Sequence, residues 1–227
     1  MSSTYIDLVK QFVLDVGIEG SVQSDIGKLV GMHEKVAYWI AEADLELQRR
    51  YMDWGFLYKT FKTKTIANIS RYQTPDVVRD LVRSKLFTVT LPDQTVVWLN
   101  EIPFSLIDEL PPGIDIPHSY AIGPDKALYL YPTPDKPEYL FEGAYYRAPK
   151  RLQASGDRSP IPEHFDRLIL TQAKLMWAEH EEAVVPLNKS SHDLAEMLAQ
   201  LEAEFLPGNS ARSFGHAARQ EAVVLVE

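Results

Sequence analysis

Residues 117–152, PHSYAIGPDKALYLYPTPDKPEYLFEGAYYRAPKRL, decide how the rest of the chain is read. Apolar and aromatic positions such as Tyr120, Leu128, Leu130, Tyr139, Phe141, Tyr145 and Tyr146 lie between breaks at Gly123-Pro124-Asp125, Pro132, Pro134-Asp135 and Pro137. Short β-prone runs punctuated by turn residues predict a small antiparallel sheet. No residue set in the block resembles a reaction centre, so it reads as a part that binds.

Helical periodicity appears on both sides of this block. Tyr5, Leu8, Val9, Phe12, Val13 and Val16 fall on one helical stripe, with Ser3 or Thr4 as N-cap and Gly17 placed to end the helix. A second stripe, Val36, Trp39, Ile40, Ala43, Leu47 and Tyr51, predicts a helix from about His33 to Tyr51. Beyond Asp53-Trp54-Gly55-Phe56 the Thr, Tyr and Phe content of 57–70 favours strand. Residues 86–90 and 95–99 flank Leu91-Pro92-Asp93-Gln94 as a hairpin would, and 104–110 reads as a short helix stopped by Pro111-Pro112-Gly113.

After the block, Pro160 and Pro162 open a long helix with Phe165, Leu168, Ile169, Leu175 and Met176 inward, ending near Glu182. A break at Val185-Pro186 precedes a last helix carrying Leu194, Met197, Leu198, Leu201 and Phe205, closed by Pro207-Gly208. The expected fold class is α+β: a bundle of two N-terminal and two C-terminal helices with an inserted antiparallel β-sheet domain and an extended C-terminal arm. The boundaries follow as helices over 1–56, sheet over 57–152, helix pair over 153–206 and arm over 207–227.

The arm ends in Ala222-Val223-Val224-Leu225-Val226, an apolar β-prone run that is expensive to leave in water. It reads either as a last strand of the chain's own sheet or as a strand donated to another subunit or partner.

Composition narrows the function classes. The 227 residues are 45% hydrophobic, enough for a sizeable core. A formal net charge of −9 disfavours direct capture of nucleic acid, which relies on clustered Lys and Arg. The absence of cysteine removes disulfides, thiolate nucleophiles and Cys metal sites, which fits an intracellular product. The start lacks a basic n-region and no apolar run is long enough to cross a bilayer, so the chain reads as soluble and unprocessed.

The six histidines form no metal-binding pattern, and Glu179-His180-Glu181-Glu182 reads as a solvated helix face because adjacent helix residues diverge. No nucleophile elbow, P-loop or dinucleotide fingerprint occurs. No catalytic residue, cofactor or metal ligand is assigned. Trp39, Trp54, Trp98 and Trp177 with eleven tyrosines serve either the core or an interface.

Three stretches in order resemble the head-to-tail adaptor (connector) proteins of tailed bacteriophages. They are Tyr5-Ile6-Asp7-Leu8-Val9 with Trp39-Ile40-Ala41-Glu42-Ala43 and Asp53-Trp54-Gly55-Phe56-Leu57; then Tyr120-Ala121-Ile122, Leu128 to Pro132 and Tyr145-Tyr146-Arg147; then Pro160-Ile161-Pro162-Glu163-His164-Phe165. Ala41 departs from the pattern, which often has Asn there. The resemblance implies a non-enzymatic virion protein of the neck, made in the host bacterial cytoplasm. It also implies a ring of about twelve copies beneath the portal, which joins the DNA-filled head to the tail. Its partners would be the portal protein, copies of itself and downstream tail or nozzle proteins, with genome DNA passing unbound and no membrane contact. The expected contacts to the portal or a neighbouring subunit are Phe214, Val223, Val224, Leu225 and Val226. A stopper or tail-completion protein, or a soluble enzyme with an unrecognised carboxylate site, are the competing readings.

Overall fold

Thr4 starts the first helix by reciprocal capping: its hydroxyl accepts from the Asp7 amide (3.4 Å) and the Asp7 carboxylate accepts from the Thr4 amide (3.2 Å). At the other end Gly17, at φ +77°, adopts the left-handed cap and its amide donates to the Val13 carbonyl (3.0 Å). The computed structural model describes residues 3–73, 78–81, 87–107, 109–182 and 184–206. Among these the helices are α1 (Tyr5–Val16), α2 (Met32–Arg50), α3 (Phe104–Ile107), α4 (Asp166–His180) and α5 (Val184–Phe205). The strands are β1 (Tyr58–Lys64), β2 (Arg71–Tyr72), β3 (Val78–Leu81), β4 (Thr88–Thr90), β5 (Val96–Trp98), β6 (Asn100–Glu101), β7 (Ile114–Asp115), β8 (Ser119–Ile122), β9 (Leu128–Tyr131), β10 (Thr133–Pro134) and β11 (Leu140–Arg147). The class is α+β, as the alternation of periodicities predicts.

The chain divides into a helical unit, Met1–Leu57 with the residues from Pro149 on, and a sheet unit, Tyr58–Ala148. In the helical unit Leu8, Val9 and Phe12 of α1, Val36, Ile40 and Ala43 of α2, and Leu168 and Ile169 of α4 are fully buried. Trp54 is also fully buried just beyond α2, where its indole N–H donates to the Leu47 carbonyl (2.9 Å). Phe205, at the end of α5, meets Phe56 and Phe165 edge to face.

The break between the last two helices falls at Glu181 and Glu182, not at Val185-Pro186. Pro186 sits in the first turn of α5, where its missing N–H leaves no helical bond unmade. Glu182 instead takes φ +53°, which turns the chain.

In the sheet unit the main sheet runs β1-β11-β4-β5, with β3 also on β11, and every pairing is antiparallel. A second sheet runs β2-β9-β8-β6, and β10 pairs with β7. Two of these pairings, β6 with β8 and β10 with β7, are parallel, so the inserted part is mixed rather than wholly antiparallel. Parallel neighbours need a crossover. The stretch through α3 supplies it for β6 and β8, and Phe104 packs edge to face on Tyr129. Phe61, Phe87, Val89, Leu128, Phe141 and Tyr145 belong to one buried cluster. Most aromatics of the opening stretch therefore hold the sheets together.

The loop that returns from the sheet unit also anchors the start of α1: the Tyr5 and Ile6 amides donate to the carbonyls of Asp157 (2.8 Å) and Ser155 (3.2 Å). The Asp157 carboxylate organises that loop by accepting from the Ala154 (2.9 Å) and Gln153 (2.8 Å) amides, and these bonds hold its pKa below the ordinary carboxylate value. A depressed folded-state value adds stability above the ordinary carboxylate range, and that stability is lost as pH falls through the folded value. Thermal melts should therefore show wild type losing stability below about pH 4. Asp157→Asn should start less stable at neutral pH and lose less in acid. Asp166, raised by burial, opposes this trend, so the difference between the two proteins is the informative quantity. Parallel slopes in the two proteins would show that Asp157 does not carry the effect.

Candidate functional site

The residues expected to contact a partner, Phe214 and Val223 to Val226, lie outside the described residues. Two surfaces within the described residues have the character of binding sites, one on each unit.

The first is a recess of about 350 Å3 on the helical unit, lined by Glu34, Lys35, Tyr38 and Trp39 from the start of α2 and by His180 from the end of α4. Residues at i, i+3 and i+4 share a helix face, which groups the four α2 side chains. The His180 ring meets Trp39 edge to face (centroids 5.3 Å apart). Lys35 Nζ lies 3.3 Å from His180 Nε2, and His180 Nδ1 lies 3.1 Å from Glu181 Oε1. An ammonium only donates, so Nε2 accepts from Lys35 and Nδ1 carries the hydrogen given to Glu181. Beside the recess, the Arg151 guanidinium sits 4.8 Å above the Tyr38 ring and pairs with Glu42 (3.1 Å). Lys35, Arg151 and Glu42 each have a charged or polar neighbour. It can hold a partner by aromatic stacking and charge.

His180 thus does more than face solvent, the role its local sequence predicts, because α2 brings Trp39 and Lys35 to it from far away in the chain. Tyr38 is the lining aromatic that lies off the apolar stripe of α2, a signal present in its local sequence.

The second surface is the β5 edge of the main sheet. Leu91 N–H donates to Thr95 O (2.9 Å) and Leu99 N–H to Phe87 O (2.8 Å), so Thr95, Val97 and Leu99 are the residues that bond to β4. In an antiparallel ladder the residues between point their N–H and C=O the other way. Val96 and Trp98 therefore aim their backbone groups out of the sheet, and their side chains are 47% and 60% exposed. The opposite edge, β1, carries exposed Lys59, Lys62 and Lys64, with Lys62 pairing to Glu142 (2.6 Å). Lysines on an edge strand block unwanted pairing, and β5 has no such charge.

The Tyr139 hydroxyl donates to Asp135 (2.6 Å), and burial together with that carboxylate pushes its pKa up to about 12, which makes it a poor proton donor near neutrality. Among the described residues no group of three or more His, Asp and Glu side chains is placed to hold a metal ion. No helix among them is long and apolar enough to cross a membrane.

No curated protein matches the chain. The family model described as SU10 adaptor protein matches residues 3–219, from the first helix cap through both units and past α5. With nearly its whole length matched, the chain belongs to the SU10 adaptor protein family, and its role is the structural one of a phage head–tail adaptor.

Proposed function

We propose that the protein forms a ring beneath the portal, joins the DNA-filled head to the tail and lines the channel through which the genome leaves. The family match over residues 3–219 is the observation that carries this reading. Two further features support it. A ring needs two different patches that meet head to tail, and a helical unit with a charged aromatic recess plus a sheet unit with an open apolar edge supplies unlike surfaces. The net charge of −9 suits a passage along which DNA slides without adhering. The location is the neck of the virion, the protein carries out no catalysis, and the neighbours are the portal, further copies and the next tail proteins.

The C-terminal arm, with Phe214 and Val223 to Val226, is the attachment element in this proposal. Mixing the protein with portal and weighing the complexes in solution should give a closed multimer on the portal. A chain that stays monomeric with portal present overturns the ring. Deleting residues 209–227 should lower portal-bound protein at least tenfold while the helical circular dichroism of the folded units stays unchanged. Undiminished assembly of the truncated chain would show that the arm is not the anchor.

A further inference from the structure

We propose that the β5 edge receives the terminal run Ala222 to Val226 of an adjacent copy as an added strand. The inference rests on the ring reading above and deepens it by naming where the arm goes.

The edge has the features of an acceptor. Val96 and Trp98 each turn one N–H and one C=O outward and find no backbone partner among the described residues. Two residues apart on a strand, their side chains stand on one face, and both are exposed. Residues 95–99 contain no charge, whereas the other edge of the same sheet carries three lysines. One edge is guarded against strand addition and the other is left open, which is the expected pattern if addition is wanted at only one of them.

The terminal run has the complementary character. It is uncharged and mostly β-branched, and Glu221 and Glu227 bound it, limiting it to a single strand of five residues. Its Val and Leu side chains fit the apolar face made by Val96 and Trp98, because cross-strand aromatic and β-branched pairs are favourable. The run is tethered beyond Leu206 by residues 207–221, a stretch of 15 residues that, fully extended, reaches roughly 50 Å, enough to span to a neighbour. Donor run and acceptor edge are different parts of the chain. Each copy can therefore give to one neighbour and take from the other, a heterologous contact that closes into a ring.

The chain contains no cysteine, so introduced pairs report one contact at a time. Full-length protein with Trp98→Cys is combined in turn with cysteine at each position from Ala222 to Val226, assembled with portal and treated with a short bis-maleimide. Products are resolved by denaturing mass measurement. Added-strand pairing has a period of two residues. Cross-links between chains should form at alternate tail positions at least about fivefold better than at those between. Moving the first cysteine to the position of Val97, whose side chain leaves the opposite face, should exchange the strong and weak sets. Separately, Val224→Lys should reduce the assembled fraction about tenfold while the folded units keep their spectrum.

Assembled rings with uniform or absent cross-links overturn the inference and leave the ring reading intact. Cross-links confined within one chain overturn it in favour of the chain's own sheet. Chains joined only through the cysteine that replaces Trp98 overturn it in favour of edge-to-edge contact between two β5 strands. A failure of the unsubstituted chain to assemble with portal, seen by native mass, overturns the ring reading and this inference with it.

Discussion

Gly143→Ala is expected to destabilise the sheet unit by about 3 kcal/mol, near the upper end for adding one methyl group to a packed core. Gly143 lies in β11 directly opposite Phe61 of β1, and on its other side the β4 register brings Phe87 alongside. The Phe61 and Phe87 rings, 5.7 Å apart, lean over the place where a side chain is missing. A Cβ added at Gly143 would run into the Phe87 ring and stand 2.7 Å from Phe61 Cε1. Neither ring can swing aside cheaply, since Phe87 is buried and Phe61 also packs edge to face on Phe141 (5.1 Å). Hydrogen exchange should show faster opening of β1, β4 and β11 amides, and the urea midpoint should fall. Adding Phe87→Leu should restore part of the loss, because two substitutions that share one space are not additive. Equal or additive losses in the double variant would place the strain elsewhere.

Legibility in the sequence followed how local the determining physics is. The Thr4 and Gly17 caps, the stripe of α2 and the hairpin of β4 and β5 are set by residues within a few positions of one another, and each stands where its pattern places it. Pro186 misled because a proline marks a break in a helix interior but is tolerated in a first turn, and the difference lies in which residue starts the helix. The parallel pairings depend on the crossover through α3, a tertiary fact that alternation alone cannot encode.

The binding surfaces divide in the same way. Trp98 is visible as a strand residue, but its position on an open edge follows from the order β1-β11-β4-β5, in which β1 comes from a distant part of the chain. The recess joins Lys35 to His180 across 145 positions of sequence, so no spacing announces it. The terminal run shows the reverse: its composition marks it as adhesive while the surface it seeks is found only in the fold.

The polar residues on the buried side of α2 carry the other large expected effect. Asp44 and Gln48, four residues apart, share one face of the helix and are both fully buried. The Gln48 side chain donates to Asp44 Oδ2 (2.7 Å) and to the Lys150 carbonyl (3.1 Å), and its oxygen accepts from the Lys150 amide (3.0 Å). Asp44 Oδ1 accepts from the Ser159 hydroxyl (2.5 Å), whose oxygen accepts from the Ile161 amide (3.0 Å). One amide thus fixes the segment that re-enters the helical unit at Lys150, and the carboxylate beside it fixes the same segment again at Ser159. Gln48→Leu keeps the volume and helix propensity but removes three bonds, one of them to a buried carboxylate. With roughly 1.5–3 kcal/mol for the charged bond and about 1 kcal/mol for each backbone group, the loss is about 4 kcal/mol. At a few degrees per kcal/mol, the melting midpoint should drop about 10 °C. Gln48→Glu separates bonding from packing: it retains an acceptor for Lys150 but sets a second carboxylate against Asp44. That variant should be at least as unstable near neutrality and regain stability on acidification, when a protonated carboxyl can again donate to Asp44. If Gln48→Leu loses under about 1 kcal/mol, water has taken over the three bonds and the clamp does not hold the returning chain.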